Sequence, residues 1–229
     1  MLQPDASLAD LELVMTAISG VLATDAAHFE AIYAEAEGDP SRIPWADLRP
    51  HPALVTWLNA IAPSIVRCGS RVAVVGCGLG DDARELMKRG YDVTAFDCSI
   101  SAVDMARGFD PARADCYVSA DLFDLPQRWR HRFDLVVEIN TLQSLLPEMQ
   151  AEAMKQISQL ITPRGHLLLI CRGAERPANV DDGPPWAISE SQLSKMAREA
   201  GLTCEGGISA FMDDEQPPKR RMRAMFRRA

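Results

Sequence analysis

The chain has 229 residues, 47% of them hydrophobic, and a formal net charge of −8. This length accommodates one α/β core plus a small attachment, and the acidic balance argues against a nucleic-acid partner, whose recognition wants a basic face. The six cysteines, at 68, 77, 98, 116, 171 and 204, form neither a CxxC pair nor a disulfide rhythm, and no stretch is apolar enough to span a bilayer. With the acidic start MLQPDASLADLELV, unlike a signal peptide, these features predict a cytoplasmic protein without a membrane partner.

Residues 7–37 read as helical, with a break near Gly20 and Thr24. Leu8, Leu11, Val14, Met15 and Ile18 make one apolar stripe, and Phe29, Ile32 and Tyr33 continue such a face. Residues 38–50, GDPSRIPWADLRP, form a proline-rich loop carrying Trp45. A further helix starts after His51 and Pro52 and runs through Leu54, Trp57, Leu58 and Ile61. Residues 1–68 therefore predict an N-terminal helical annex, either a cap over a sheet edge or a mobile cover over a ligand site on the core formed by 69–229.

The core opens with RVAVVGCGLG at 71–80. Val72, Ala73, Val74 and Val75 suit a central strand buried on both faces, and Gly76, Gly78 and Gly80 let the backbone turn tightly beside a ligand. A helix begins at Asp81, with carboxylates at its positive end and Gly90 placed to stop it. Strands and helices then alternate. A strand over 91–96 ends in Asp97, and Ser99 caps a helix over 100–106 closed by Gly108. Strands follow over 115–119 and 133–138, a helix lies within 142–160, a fifth strand covers 165–170, and a helix covers 189–200. Such alternation predicts a parallel sheet with its ligand crevice at the strand C-terminal ends. The segments 202–212 and 221–226 are too closely spaced for a crossover, so they predict a terminal antiparallel hairpin. Met222, Ala224 and Phe226 alternate with arginines there, marking the basic tail as the polar side of a strand.

The glycine spacing places the third small residue one position early for the G-x-G-x-x-G dinucleotide fingerprint, which weakens an NAD-dependent oxidoreductase reading. Taken with the acidic end of TAFD, the segment SADLFDLP and FDLVVE, the run VVGCGLG resembles the class I S-adenosylmethionine-dependent methyltransferases. The resemblance covers about residues 72–228, and the order of the motifs and the terminal hairpin agree with it. The proline-rich annex, FDLVVEINTLQ and GPPW also resemble bacterial small-molecule methyltransferases grouped with thiopurine methyltransferases. The implied fold is a Rossmann-like seven-stranded mixed sheet with helices on both faces. The implied cofactor is S-adenosyl-L-methionine.

By this resemblance Asp97 receives both ribose hydroxyls, and Cys98 or Ile100 lies beside the adenine. Asp121 receives the adenine amino group with Leu122 beside it, and Gly76, Cys77 and Gly78 surround the methionine part. Glu138 is a candidate either to contact the cofactor amino group or to orient the acceptor. His51 is the strongest histidine candidate for a base, and a helix-start role fits it as well; His28, His131 and His166 lie elsewhere. Trp45 and Trp186 are candidate pocket walls or loop anchors, each beside proline. Thr141 and Gln143 are placed to orient a polar acceptor, and Arg172 to meet an anionic one or to stay at the surface.

Methyl transfer from a sulfonium needs alignment and water exclusion more than acid–base chemistry. A thiol, with a pKa of about 8.5, supplies thiolate near neutrality, so sulfur leads oxygen and nitrogen as the expected acceptor atom. EINTLQ replaces the NPPY or DPPY type used on nucleic-acid bases, which favours a small molecule, and no residue cluster suggests a metal. A non-catalytic cofactor-binding protein is the further alternative. The sequence leaves the oligomeric state open.

Overall fold

A computed structural model describes residues 26–228 of the chain. The part of the expected annex before residue 26, including the break near Gly20 and Thr24, lies outside the described residues. Eight strands make one sheet: β1 Arg71–Val75, β2 Asp92–Asp97, β3 Tyr117–Ser119, β4 Phe133–Ile139, β5 Ile161–Ala174, β6 Ile188–Ser189, β7 Leu202–Met212 and β8 Arg220–Arg228. Their order is β3-β2-β1-β4-β5-β8-β7, and the two-residue β6 attaches to the far end of β5. All pairings are parallel except those of β8 with β5 and with β7, so the chain ends in the antiparallel hairpin that the tail pattern predicts.

Both faces of the sheet are covered. Ala73, Val75, Val136, Leu167, Leu169 and Ala224 pack on one side beneath the helices Pro147–Leu160 and Glu190–Glu199. Val72, Val74, Leu135, Val137, Leu168 and Ile170 pack on the other, against Leu86 of helix Asp81–Lys88 and Val103 of helix Ile100–Phe109. That burial on both sides is why the central strands read as unbroken apolar runs.

Two of the annex helices, Ala26–Glu35 and Pro52–Ala60, differ in how they are held. Pro52–Ala60 buries Leu54, Trp57 and Leu58 in the second of these cores. At about 2 kcal/mol for each large apolar side chain, that contact makes the helix part of the core. Helix Ala26–Glu35 buries only Tyr33. It is held by a small apolar cluster of Tyr33 with Leu79 and Ala102, together with the polar contacts described below.

Register brings the functional edge together. Val75 lies between Phe96 of β2 and Glu138 of β4, so the ends of β1, β2 and β4 stop at one level, where the order reverses about β1. At the opposite margin β7 has, among the described residues, only β8 as a neighbour, and its register jumps from Glu205 to Ile208 across Gly206 and Gly207. Both glycines have positive φ, 74° and 82°, a backbone that glycine adopts readily at such a bulge.

Candidate active site

The turn after β1 is held by backbone bonds: Cys77 N–H donates to the Phe96 carbonyl at 2.9 Å, and Gly80 N–H to that of Cys77 at 2.8 Å. Asp97 closes it from β2. Its carboxylate accepts from Gly78 N–H at 2.8 Å and from Ser99 N–H at 3.0 Å. Only 8% of Asp97 is exposed, and burial raises its pKa. Cys98 Sγ also donates to Oδ1, at 3.7 Å; a carboxylate offers about four acceptor positions, so Asp97 can still accept from a further hydroxyl. Burial also raises both neighbouring thiols, Cys98 to about 12, so Cys77 and Cys98 are neutral packing groups. Asp121 is exposed after β3 and accepts from Phe123 N–H at 2.8 Å, while the side chain of Leu122 is buried. Ile100 is exposed at the start of its helix, beside this strip.

Helix Ala26–Glu35 lies over that edge. Its Glu30 accepts from Ser99 Oγ at 2.7 Å, Ser101 N–H at 3.1 Å and Ser101 Oγ at 2.6 Å, at the start of helix Ile100–Phe109. One turn on, Tyr33 lies against the glycine turn: a Cβ added to Gly78 would stand 2.9 Å from the tyrosine oxygen. The same oxygen accepts from Trp45 Nε1 at 2.8 Å, and Trp45 lies edge-on to both Tyr33 and Phe29. Burial, with Asp97 close by, raises the Tyr33 pKa, so its hydroxyl stays protonated.

On the other side of β1, the chain leaving β4 folds back on itself. Glu138 is fully buried; its Oε1 accepts from Thr141 N–H at 2.7 Å and Leu142 N–H at 3.0 Å. Its Oε2 has no partner among the described residues, and burial pushes the carboxyl up to about 7. Thr141 Oγ1 donates to the Val75 carbonyl at 3.1 Å and fills the space a side chain at Gly76 would need. Gln143 links two further segments: its side-chain oxygen accepts from Arg172 N–H, and its carbonyl accepts from Trp186 N–H at 2.7 Å. Trp186 is only 1% exposed and donates Nε1–H to the Val180 carbonyl at 2.8 Å, whereas Trp45 is 47% exposed.

His51 caps helix Pro52–Ala60: its Nδ1 accepts from Ala53 N–H at 3.1 Å, and its own N–H donates to Asp82 at 2.7 Å. Burial, reinforced by Arg221, lowers the imidazole to about 4, and burial raises Asp82 to about 6. With Nδ1 engaged by the cap, the ring carries its proton on Nε2. Arg221 is buried and donates to Asp213 at 2.7 Å, Glu215 at 2.5 Å and Asn140 at 3.1 Å. His131 and His166 lie at the N-terminal end of β5, away from this edge.

The structure thus gathers Gly76, Cys77, Gly78, Asp97, Cys98, Thr141 and Glu138 around the ends of β1, β2 and β4. Arg172 and Gln143 lie one strand further on, and Trp186 is set into the core. Glu30, Tyr33, Asn140 and Arg221 join the site without having been singled out from sequence. Only the helical spacing of Glu30 and Tyr33 hinted that they share a face.

Residues 73–169 match the family model described as "Methyltransferase domain". A ubiquinone biosynthesis O-methyltransferase of Alkalilimnicola ehrlichii is 29% identical over 153 residues, 58% of this chain. The chain spans 61% of the length of that relative. A solved structure concerned with converting a disulfide bond into a thioacetal group during echinomycin biosynthesis superposes with a TM-score of 0.70 at 24% identity, covering 87% of this chain and 90% of that one. The 1,6-didemethyltoxoflavin-N1-methyltransferase of Burkholderia thailandensis superposes with a TM-score of 0.66 at 17% identity, covering 100% and 93% of the two chains. At these identities the superpositions speak for the fold.

Proposed function

We propose that this chain, whose residues 73–169 form a class I S-adenosylmethionine-dependent methyltransferase domain, moves the methyl group of S-adenosylmethionine to a small-molecule nucleophile. The single observation that carries this reading is Asp97, a buried carboxylate at the end of β2 tied to the glycine turn through Gly78 and able to accept a further hydrogen bond. The residues present fit the cofactor. Asp97 suits the ribose diol, Ile100, Asp121 and Leu122 the adenine, and the backbone of Gly76, Cys77 and Gly78 the methionine part. Bound there, S-adenosylmethionine would supply a methyl group activated by its sulfonium, open to displacement by the acceptor's lone pair with the sulfur as leaving group.

The chain's own part is alignment and exclusion of water. Helix Ala26–Glu35 serves as the cover, latched by Glu30 and laid over the turn by Tyr33, with Trp45 as an exposed wall beside it. Thr141, Gln143 and Glu138 hold the turn after β4 in shape, so that its backbone can face the acceptor.

Neither His51 nor Glu138 is free to act as a base, because the acceptor nitrogen of His51 is occupied by Ala53 N–H and Glu138 is sealed under its turn. That supports acceptors that ionise by themselves, thiols and thiopurine-like compounds first and phenols next. The O-methyltransferase name of the curated relative supports an oxygen acceptor.

The test combines titration calorimetry with S-adenosylhomocysteine and a screen of thiols, thiopurines, phenols and amines with methyl-labelled cofactor. The expected results are stoichiometric binding, its loss in Asp97→Ala, and a labelled thioether or aryl ether. Tight NAD binding without S-adenosylhomocysteine binding would reject the reading. Cofactor binding with no product across the panel would instead favour a non-catalytic binder.

A further inference from the structure

Arg221 is the hub of a corner to which the function above assigns no role. It stands on β8 opposite Arg172 of β5 in antiparallel register, so both side chains leave the same face of the sheet. That face carries helix Pro52–Ala60: Arg223, two residues along β8, reaches the Ala53 carbonyl at 3.4 Å. His51, which caps this helix, feels the charge of Arg221, and Asn140 at the end of β4 accepts from its guanidinium. β4, β5, β8 and the annex therefore meet here, at the level where β4 ends.

Two arginines directly opposite each other repel unless their charge is offset. For Arg221 it is offset, by Asp213 at 2.7 Å and Glu215 at 2.5 Å. The guanidinium of Arg172 has neither a hydrogen bond nor an ion pair with any described residue. The Nε2–H of His51, fixed as a donor by the helix cap, likewise has no acceptor among them. The corner thus holds an unmatched positive fork and an unmatched N–H beside a hub that is already satisfied.

We propose that this corner recognises the acceptor, and that the acceptor carries a carboxylate remote from the atom that is methylated. Arg172 supplies the planar fork that a carboxylate fits, and His51 supplies a neutral hydrogen bond. The inference rests on the methyl-transfer reading and adds a substrate class to it. The anion is assigned to the acceptor because β5 is the second neighbour of β1, about 10 Å across the sheet from the glycine turn.

The experiment measures affinities without turnover, on protein saturated with S-adenosylhomocysteine. Matched pairs are titrated calorimetrically: 4-hydroxybenzoate against 4-hydroxybenzamide, and 4-mercaptobenzoate against 4-mercaptobenzamide. The carboxylate member of at least one pair is expected to bind about tenfold tighter or better, as a charge-assisted bond implies. Arg172→Gln should bring that pair to within about twofold, Arg172→Lys should keep an intermediate preference, and His51→Asn, which retains a capping oxygen, should lose part of it. Thermal unfolding verifies that each variant folds, and S-adenosylhomocysteine affinity should be unchanged in all of them. Equal affinity within both pairs, or no binding of any of the four compounds, overturns the proposal. So does a preference that survives Arg172→Gln, or a loss of S-adenosylhomocysteine binding in that variant, which would give the arginine to the cofactor. Wild-type protein that fails to bind S-adenosylhomocysteine instead sinks the methyl-transfer reading and this inference with it.

Discussion

Glu138→Gln exchanges a sealed carboxyl for a neutral amide of the same shape. The amide oxygen can keep the bonds from Thr141 and Leu142, so the turn after β4 should survive. What changes is ionisation. Burial lifts the Glu138 pKa from 4.5 to about 7, so between those values the folded chain holds a proton that the unfolded chain releases. The resulting stability is complete below pH 4.5 and is lost as the pH rises through 7. Its size, from the separation of the two values, is about 3 kcal/mol. The glutamine variant has no such titration, although its amide nitrogen inherits the missing partner of Oε2 and costs about 1–2 kcal/mol at every pH. Urea unfolding of both proteins at about pH 5 and pH 8 separates the effects, because groups common to both cancel in the difference. The variant should gain about 2.5 kcal/mol on wild type between the two conditions, or about 5–10 °C in Tm for a chain of this size. A difference that is the same at both pH values would show that the carboxyl is not ionising under burial and refute the reasoning.

Three further substitutions or conditions test other joints of the site. Gly78→Ala places a methyl 2.9 Å from the Tyr33 oxygen at a φ of +49°, and should cost about 1–2 kcal/mol in thermal stability and weaken S-adenosylhomocysteine binding. Adding Tyr33→Phe to that variant should recover part of the loss by removing the colliding atom. Arg221→Met should destabilise by about 3 kcal/mol in urea unfolding, since Asp213 and Glu215 lose their shared partner; a change under about 0.5 kcal/mol would show the hub to be ornamental. The Glu30 carboxyl, which burial alone would raise, is held below its ordinary value of 4.5 by hydrogen bonds from Ser101 and Ser99. Docking of helix Ala26–Glu35 should therefore be complete above pH 4.5 and fade as the pH falls below it, which amide exchange over that helix at pH 6 and pH 3.5 would detect.

What could be read from sequence follows from how local the cause is. The β1 turn and Asp97 were legible because glycines and a strand-ending carboxylate are features of a few consecutive residues. Glu30 was not, since its partners lie 69 and 71 residues away and nothing near it in the chain announces them. The alternation of Met222, Ala224 and Phe226 with arginines assigned faces correctly, with the apolar set in the first core. It could not tell that the annex covers the opposite face, and so did not distinguish the buried Arg221 from a solvated one. Trp45 and Trp186 follow prolines in similar local settings, yet one is 47% exposed and the other 1%, because burial is decided by what arrives from elsewhere. In β5 the strand runs from Ile161 to Ala174, past the 165–170 predicted, since pairing with β4, β6 and β8 extends it beyond its own apolar run.

The crease in β7 also bears on how this molecule behaves at high concentration. An outermost strand of eleven residues would otherwise present a straight row of unspent amides and carbonyls, a template on which another extended chain could lie. Gly206 and Gly207 interrupt that row with a bulge, where the regular alternation of donors and acceptors is broken. The paired glycines thus serve dispersal: the rim of the sheet is kept from becoming the first rung of an aggregate.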